Sequence, residues 1–136
     1  MRRALVVGGA NGIGLSIATI LANDTRYDKV YIVDRASIDA EFCHPKFESI
    51  QFDLCQEDYS LFDRFDDVDT LMITAGFGRL AHFADVDEAH IINSFNVNTT
   101  AVVRIIHHFY QRIIGKEDFY CGVMGSIAGF MSSPLF

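Results

Sequence analysis

Cysteine is scarce in this sequence, and the arrangement of its three copies excludes several kinds of site. Cys43, Cys55 and Cys121 form an odd count, and no two of them stand at the CxxC spacing of metal and redox motifs. We therefore expect reduced thiols in a cytoplasmic protein. Cys43-His44 is a candidate pair of metal ligands, but no second pair stands at a useful spacing. We expect no metal site for that reason.

Basic residues and long apolar runs are also few. The 11 Lys and Arg against 18 Asp and Glu leave a formal net charge of −7. This balance argues against a nucleic-acid-binding surface, because phosphate binding depends on clustered positive charge. No apolar run is long enough to span a bilayer, so we expect no membrane partner. The run that follows Arg2-Arg3 breaks after four residues at Gly8-Gly9, which is too short for the apolar core of a signal peptide.

The 136 residues, half of them apolar, are enough for one domain (1–136) and too few for two. Runs rich in Val and Ile alternate with segments of helical period, which is typical of βαβ units around a parallel sheet. The sequence therefore predicts an α/β protein. The expected strands are 4–8, 29–34, 47–53, 69–74 and 119–124; the expected helices are 12–23 and about 87–114, the second broken near Ser94; 57–65 is a short helix or turn, and 77–86 and 125–136 are loops.

The two helical segments differ in the distribution of their apolar residues. In the first, Ile13, Ile17, Ile20 and Leu21 fall on one face, which we expect to pack on the sheet. The longer segment is apolar around much of its circumference, which predicts burial by the sheet and by a partner subunit, with Phe109 facing outward. Its apolar positions are Ala101, Val102, Ile105, Ile106, Phe109 and Ile113.

Three glycines, Gly8, Gly12 and Gly14, lie around the turn that joins the first strand to the first helix. Without a Cβ the backbone turns sharply and a pyrophosphate approaches it closely. The helix N-terminus then offers unpaired N–H groups and its positive dipole end to the phosphates. The spacing is GxxxGxG; the general GxGxxG fingerprint would require glycine where Ile17 stands.

Asp34 closes the second strand, twenty residues after Gly14. A carboxylate there accepts hydrogen bonds from both hydroxyls of an adenosine ribose and repels a 2′-phosphate, which favours NAD over NADP. Arg35 keeps the alternative open, because it could cover a 2′-phosphate if Asp34 turned away. NAD is therefore the expected cofactor, and NADP is the second choice.

These motifs together resemble the N-terminal half of a short-chain dehydrogenase/reductase of the classical type. The glycine loop is similar to that family's TGxxxGxG, with Val7 in place of the Thr. Thr74-Ala75-Gly76 resembles its Asn-Asn-Ala-Gly, with Thr74 replacing an Asn and altering that hydrogen-bond network. Gly125-Ser126-Ile127-Ala128-Gly129 resembles its Ser-Ser-x-Ala-Gly. The resemblance implies a Rossmann-type, doubly wound parallel sheet in the order 3-2-1-4-5, truncated before the last strands.

The resemblance also implies roles for individual residues. Asp53 would contact the adenine amino group, and the backbone N–H of Leu54 a ring nitrogen. Asn98, in Asn96-Val97-Asn98, would hold a water of the proton relay through a distortion of the helix, and the Ser126 hydroxyl would hold the substrate oxygen. The expected cofactor-binding residues are Gly8, Asn11, Gly12, Ile13, Gly14, Asp34, Arg35, Asp53, Leu54, Ala75 and Gly76.

The family's acid/base Tyr commonly lies thirteen residues past the Ser, at position 139 here, with a Lys four residues later; both positions fall beyond residue 136. The resemblance thus implies an NAD(P)-dependent oxidoreductase acting on a small carbonyl or alcohol, whose first 136 residues are inactive alone. The end of the chain within a loop favours a fragment over the alternative, a naturally short, non-catalytic NAD-binding or regulatory module. A related sugar-nucleotide epimerase is disfavoured by the glycine spacing. Family members commonly pair through the helix that contains Asn98, which implies a homodimer or tetramer.

Overall fold

A five-stranded, wholly parallel sheet forms the centre of the protein, with strand order β3-β2-β1-β4-β5. This confirms the expected doubly wound α/β fold and its strand order. The structure is a computed structural model that describes residues 1–78 and 81–131. Residues 79–80 of the expected loop 77–86 and residues 132–136 of the expected loop 125–136 lie outside the described residues. The strands are β1 (Arg2–Val7), β2 (Tyr27–Asp34), β3 (Phe47–Gln51), β4 (Thr70–Ile73) and β5 (Tyr120–Val123).

The helices are α1 (Gly12–Asn23), α2 (Glu88–Phe95) and α3 (Ala101–Gly115). A π-helical turn, Asn96–Thr100, joins α2 to α3, so the expected break near Ser94 is instead a widened turn two residues later. Such turns are rare and concentrate at functional sites. The expected short helix at 57–65 is a 3-10 helix, Ser60–Arg64. Further 3-10 turns are Ala40–Phe42, Phe83–Asp85 and Ile127–Gly129.

The sheet is buried on both faces because side chains alternate along each strand. On one face Leu5 and Val7 of β1 join a core that includes Ile105 and Phe109 of α3. On the other face Ala4 and Val6 pack with residues of α1. All four of these β1 side chains are at most 1% exposed, which agrees with the central place of β1.

The face of α1 that meets the sheet is the expected one only in part: Ile17 and Leu21 pack against the core as expected. Ile13 and Ile20 are 62% and 69% exposed, while the buried residues of the helix are Gly14, Ala18 and Ala22, spaced by four. The physical reason is the close approach of the first turn to the strands. A Cβ at Gly14 would overlap the carbonyl oxygen of Gly8 and lie 2.5 Å from the Thr74 hydroxyl. Absence of a side chain, more than apolar character, decides which face packs here.

The direction of Phe109 also differs from the expectation. Its side chain is 1% exposed and packs in the core beside Phe119, with ring centroids 6.2 Å apart. The outward apolar residues of α3 are Val103, Tyr110 and Ile114, each more than half exposed. Apolar residues surround this helix, so the pattern alone did not indicate which of them face the sheet.

We expect Gly14→Ala to destabilise the protein by about 3 kcal/mol, because the added methyl group meets backbone atoms that cannot rotate away. Urea unfolding followed by circular dichroism measures the change. Gly115→Ala is the matched control: its Cβ would meet nothing within 4 Å, and we expect it to be neutral or to stabilise by about 0.5 kcal/mol. Equal effects of the two changes would contradict the close-packing argument.

Candidate functional site

A cleft of about 620 Å³ opens where β1, β2, β3 and β4 end. It lies at the point where the strand order reverses between β1 and β4, which is where ligands bind in open α/β sheets. All eleven residues that the sequence predicted to bind the cofactor line this cleft; they are Gly8, Asn11, Gly12, Ile13, Gly14, Asp34, Arg35, Asp53, Leu54, Ala75 and Gly76. The structure thus brings these residues together, and their role in cofactor binding stays a prediction.

The glycine loop combines one crowded position with one open position. Gly8 has φ +87°, and a Cβ on it would lie 2.6 Å from the backbone nitrogen of Ala75. Gly12 has φ +56°, and a Cβ on it would meet nothing within 4 Å. Both are left-handed conformations that favour glycine. The loop is thus fixed to the segment after β4 at Gly8, while the backbone at Gly12 and the N-terminus of α1 stay accessible to a ligand.

Thr74 joins the end of β4 to the glycine loop. Its hydroxyl lies within hydrogen-bond distance of two carbonyl oxygens, that of Val7 at 2.9 Å and that of Gly8 at 3.2 Å, and donates its one proton to this pair. Its backbone N–H donates to Val7 as well. Thr74, which stands where the family has Asn, therefore still joins β4 by hydrogen bonds to the end of β1 and to the glycine loop.

Asp34 supports the same loop from the other side. One carboxylate oxygen accepts a hydrogen bond from the backbone N–H of Ala10 at 3.0 Å, and the other accepts from Ala36 at 2.9 Å. Each oxygen keeps a second lone pair, so these contacts leave capacity for a ligand hydroxyl. Asp34 is also without a salt bridge to any residue that the structure describes. Its negative charge is therefore available to the cleft.

Asp53 and Leu54 lie in a tight turn after β3. The Asp53 carboxylate accepts from the backbone N–H of Cys55 at 2.9 Å, and the Asp53 carbonyl accepts from Gln56 at 3.1 Å. The Leu54 carbonyl accepts from the Tyr59 hydroxyl at 2.6 Å. Burial raises the pKa of the Cys55 thiol, and the neighbouring Asp53 carboxylate raises it further. Cys55 therefore stays a neutral thiol at the wall of the cleft.

Asn98 and Ser126 do not line the cleft. The Asn98 side chain accepts from the backbone N–H of Phe77 at 2.8 Å and donates to the Phe77 carbonyl at 2.6 Å and to Ser94 at 3.3 Å. The Ser126 hydroxyl is exposed and accepts from the backbone N–H of Ala128 at 3.1 Å. The helix is distorted at Asn98, as the resemblance implied, but the water-binding and substrate-binding roles stay predictions.

Several residues of the cleft wall were missed by the sequence analysis. Phe77 directly follows the Ala75-Gly76 motif and packs on the His90 ring, with centroids 5.1 Å apart. His90, Asn93 and Val97 are spaced by three and four along the helical segment, so one face of the helix supplies all three. This helical spacing is the feature of the sequence that could have indicated that these three residues act together. The remaining missed residues are Val33, Ala36, Phe52, Cys55 and Met124; Thr74, from the Thr74-Ala75-Gly76 motif, lines the cleft as well.

Within residues 1–78 and 81–131, no three His, Cys, Asp or Glu side chains come together in a way that could hold a metal ion. Among the helices of the same described part of the chain, none has the length and apolar character needed to cross a membrane.

Fold and cleft together define a Rossmann-type α/β protein. The sequence pattern of the short chain dehydrogenase family matches residues 2–136, and the chain belongs to that family. No curated protein sequence matches the chain.

Solved structures agree with this fold. The bulky-bulky ketone specific alcohol dehydrogenase from Comamonas testosteroni has a TM-score of 0.84 at 23% identity, over 97% of this chain and 57% of its own. A short chain dehydrogenase/reductase family protein has 0.83 at 25%, over 98% and 58%. A 4-hydroxyisoleucine dehydrogenase complexed with NADH and succinate has 0.81 at 18%, over 97% and 62%. The chain thus spans little more than half the length of these structures.

We expect Thr74→Val to destabilise the protein by about 1 kcal/mol, because Val keeps the shape but removes the hydrogen bond that ties β4 to the glycine loop. Thr19→Val is the control. The Thr19 hydroxyl also donates to a carbonyl, that of Leu15 at 2.8 Å, but within one helix; we expect a change below about 0.5 kcal/mol. Urea unfolding measures both, and a Thr74 variant as stable as the wild type would contradict this role.

Proposed function

We propose that this chain is the NAD-binding part of an oxidoreductase that transfers a hydride between nicotinamide and a carbonyl or alcohol carbon of a small molecule. The observation that carries the proposal is the meeting of all eleven expected cofactor residues at one cleft. The cleft also fits the cofactor in size, because ligand sites measure about 300–1,000 Å³. The open space above Gly12 fits the close approach of a pyrophosphate.

Each part of the cleft has a role in this proposal. The N-terminus of α1, with Gly12 and Ile13, binds the pyrophosphate through backbone N–H groups. Asp34 accepts hydrogen bonds from the ribose hydroxyls, and its charge opposes a 2′-phosphate. Asp53 and the backbone of Leu54 bind the adenine. When bound, NAD supplies the hydride chemistry.

The proton transfer depends on residues outside this cleft wall. Ser126 holds the substrate oxygen, and Asn98 holds a water of the proton relay. The resemblance puts the acid/base Tyr and its Lys beyond residue 136. General acid–base catalysis contributes about 10²–10⁴-fold. We therefore propose that residues 1–136 bind NAD without turning over a substrate.

We expect the wild-type chain to bind NAD about tenfold more tightly than NADP, and Asp34→Asn to remove most of that preference. The ratio of the two dissociation constants, measured by calorimetric titration, is the quantity to compare. The variant also loses one acceptor oxygen that supports the glycine loop. Any resulting disturbance of the loop weakens the binding of both cofactors alike and cancels in the ratio.

Asp39→Asn is the matched control, because Asp39 is exposed and does not line the cleft. It should keep the wild-type ratio. An Asp34→Asn variant that keeps the ratio would refute the role of Asp34. A wild-type chain that binds neither dinucleotide would refute the proposed function.

The cysteines support a cytoplasmic location in this proposal. Cys43, Cys55 and Cys121 are all unbridged thiols on the surface. Exposed thiols of this kind are typical of a reducing compartment.

We also propose that the parent protein forms a homodimer or tetramer through the helical segment that contains Asn98. Val103, Tyr110 and Ile114 are spaced by seven and four, so they form one exposed apolar stripe along α3. Ile92 and Phe95 of α2 are exposed apolar residues as well. A second copy of the same helix would cover such a stripe about a two-fold axis.

We expect Val103→Glu to convert an associated form to monomers, because it puts a charge within the apolar stripe that the partner would cover. Light scattering on a sizing column at several protein concentrations measures the change. Gln111→Glu, an exposed change on the same helix, adds a like charge outside the stripe and should leave the mass unaltered. Phe109→Glu is unsuitable for this test, because Phe109 lies in the core. Identical masses for wild type and Val103→Glu would contradict the interface.

A further inference from the structure

Arg104 of α3 holds the segment that follows the turn after β3. Its guanidinium lies over the Tyr59 ring, 3.6 Å from the ring centroid. It also donates hydrogen bonds to the backbone carbonyl of Gln56, at 3.3 Å, and to that of Glu57. One side chain from a distant helix thus fixes both the aromatic ring and the backbone beside it.

Tyr59 carries this constraint to the wall of the cleft. The side chain is buried, and its ring packs edge-on against Phe52, with centroids 5.3 Å apart. Its hydroxyl donates to the Leu54 carbonyl at 2.6 Å. Because the ring is held by the core and by Arg104, the hydroxyl has a fixed place from which to hold Leu54.

The turn after β3 has few other restraints. Asp53, Cys55 and Gln56 are exposed, and their hydrogen bonds with one another are local to the turn. The Gln56 side chain also donates to the nearby Asp58 carbonyl at 3.0 Å. From outside the turn, the Tyr59 hydroxyl holds the Leu54 carbonyl, the Arg104 guanidinium holds the Gln56 carbonyl, and the Leu54 side chain packs against the core. A binding loop that is ordered before its ligand arrives avoids the entropy cost of ordering it on binding.

We propose that Arg104 and Tyr59 are positioning residues for adenine recognition: they hold the Asp53 carboxylate and the Leu54 N–H in the direction that reads the edge of the base. This inference rests on the proposed function, since it assigns a task within the same cleft. It also links α3 to base selectivity, although neither Arg104 nor Tyr59 lines the cleft.

A role in positioning the adenine turn can be distinguished from a general stabilising role, because α3 has a second arginine that makes similar contacts away from the cleft. Arg112, also on α3, donates to the backbone carbonyls of Phe65 and Val68 in the same manner. Neither of those residues lines the cleft. Likewise, the Tyr31 hydroxyl donates to Asp67 at 2.8 Å, away from the cleft. Variants of Arg112 and Tyr31 therefore lose comparable contacts without reaching the adenine turn.

The test compares NAD with nicotinamide hypoxanthine dinucleotide, whose base presents a carbonyl and an N–H where adenine presents an amino group and an acceptor nitrogen. Both are titrated calorimetrically into the 136-residue wild type, Tyr59→Phe and Arg104→Lys, with Tyr31→Phe and Arg112→Lys as controls. We expect the wild type to prefer NAD. Tyr59→Phe and Arg104→Lys should each lose about fivefold in NAD affinity, the size of one hydrogen bond, with a much smaller loss for the analogue.

The controls should keep the wild-type ratio of the two affinities, whatever their effect on thermal stability. Use of two variants protects the test if one of them fails to fold. Wild-type ratios in both Tyr59→Phe and Arg104→Lys, or a wild type that binds NAD without preferring it to the analogue, would overturn the inference and leave the proposed function intact. A wild type that binds neither dinucleotide would overturn both.

Discussion

The contact between the first turn of α1 and the ends of β1 and β4 is the constraint on which the rest of the structure depends. Gly14 leaves no space between the helix and the Gly8 carbonyl, and the Thr74 hydroxyl lies at the same point. This closeness puts the N-terminus of α1 at the reversal of the strand order, where its unpaired N–H groups face the cleft. A larger residue at position 14 would lift the helix and alter the surface that we propose for the pyrophosphate.

The helical segment from α2 to α3 lines part of the cleft and holds two of the loops around it, the one after β4 and the one after β3. Up to the π-helical turn its residues line the cleft, and beyond that turn they pack on the sheet through Ala101, Ile105 and Phe109. Asn98 fixes the loop after β4 through Phe77, and Arg104 fixes the segment after β3. Two loops that are distant in sequence are thus held by one element, whose own position is set by the hydrophobic core.

The parts of the structure that the sequence predicted are those that depend on local spacing. The glycine loop, the acid at the end of β2 and the motif after β4 all occupy fixed offsets from a strand end, so the strand order brings them together. The packing face of α1 was predicted correctly for Ile17 and Leu21 and wrongly for Ile13 and Ile20. Hydrophobic periodicity gives weight to large residues, whereas the close approach of the first turn selects the smallest. The tie of Asp34 to Ala10 and of Tyr59 to Leu54 depends on tertiary geometry, for which the sequence carries no local signal.

The charge distribution shows why recognition by the backbone suits this protein. The chain carries a net charge of −7, so its overall field opposes an anionic ligand. That field is screened over about 8 Å at physiological salt, whereas backbone N–H groups at a helix N-terminus act at contact distance. An acidic protein can therefore bind a pyrophosphate at Gly12 without a basic patch. In the proposed function the same acidity has a use at the adenosine end, because the Asp34 and Asp53 carboxylates would favour a ligand that presents hydroxyl and amino groups over one that presents a third phosphate.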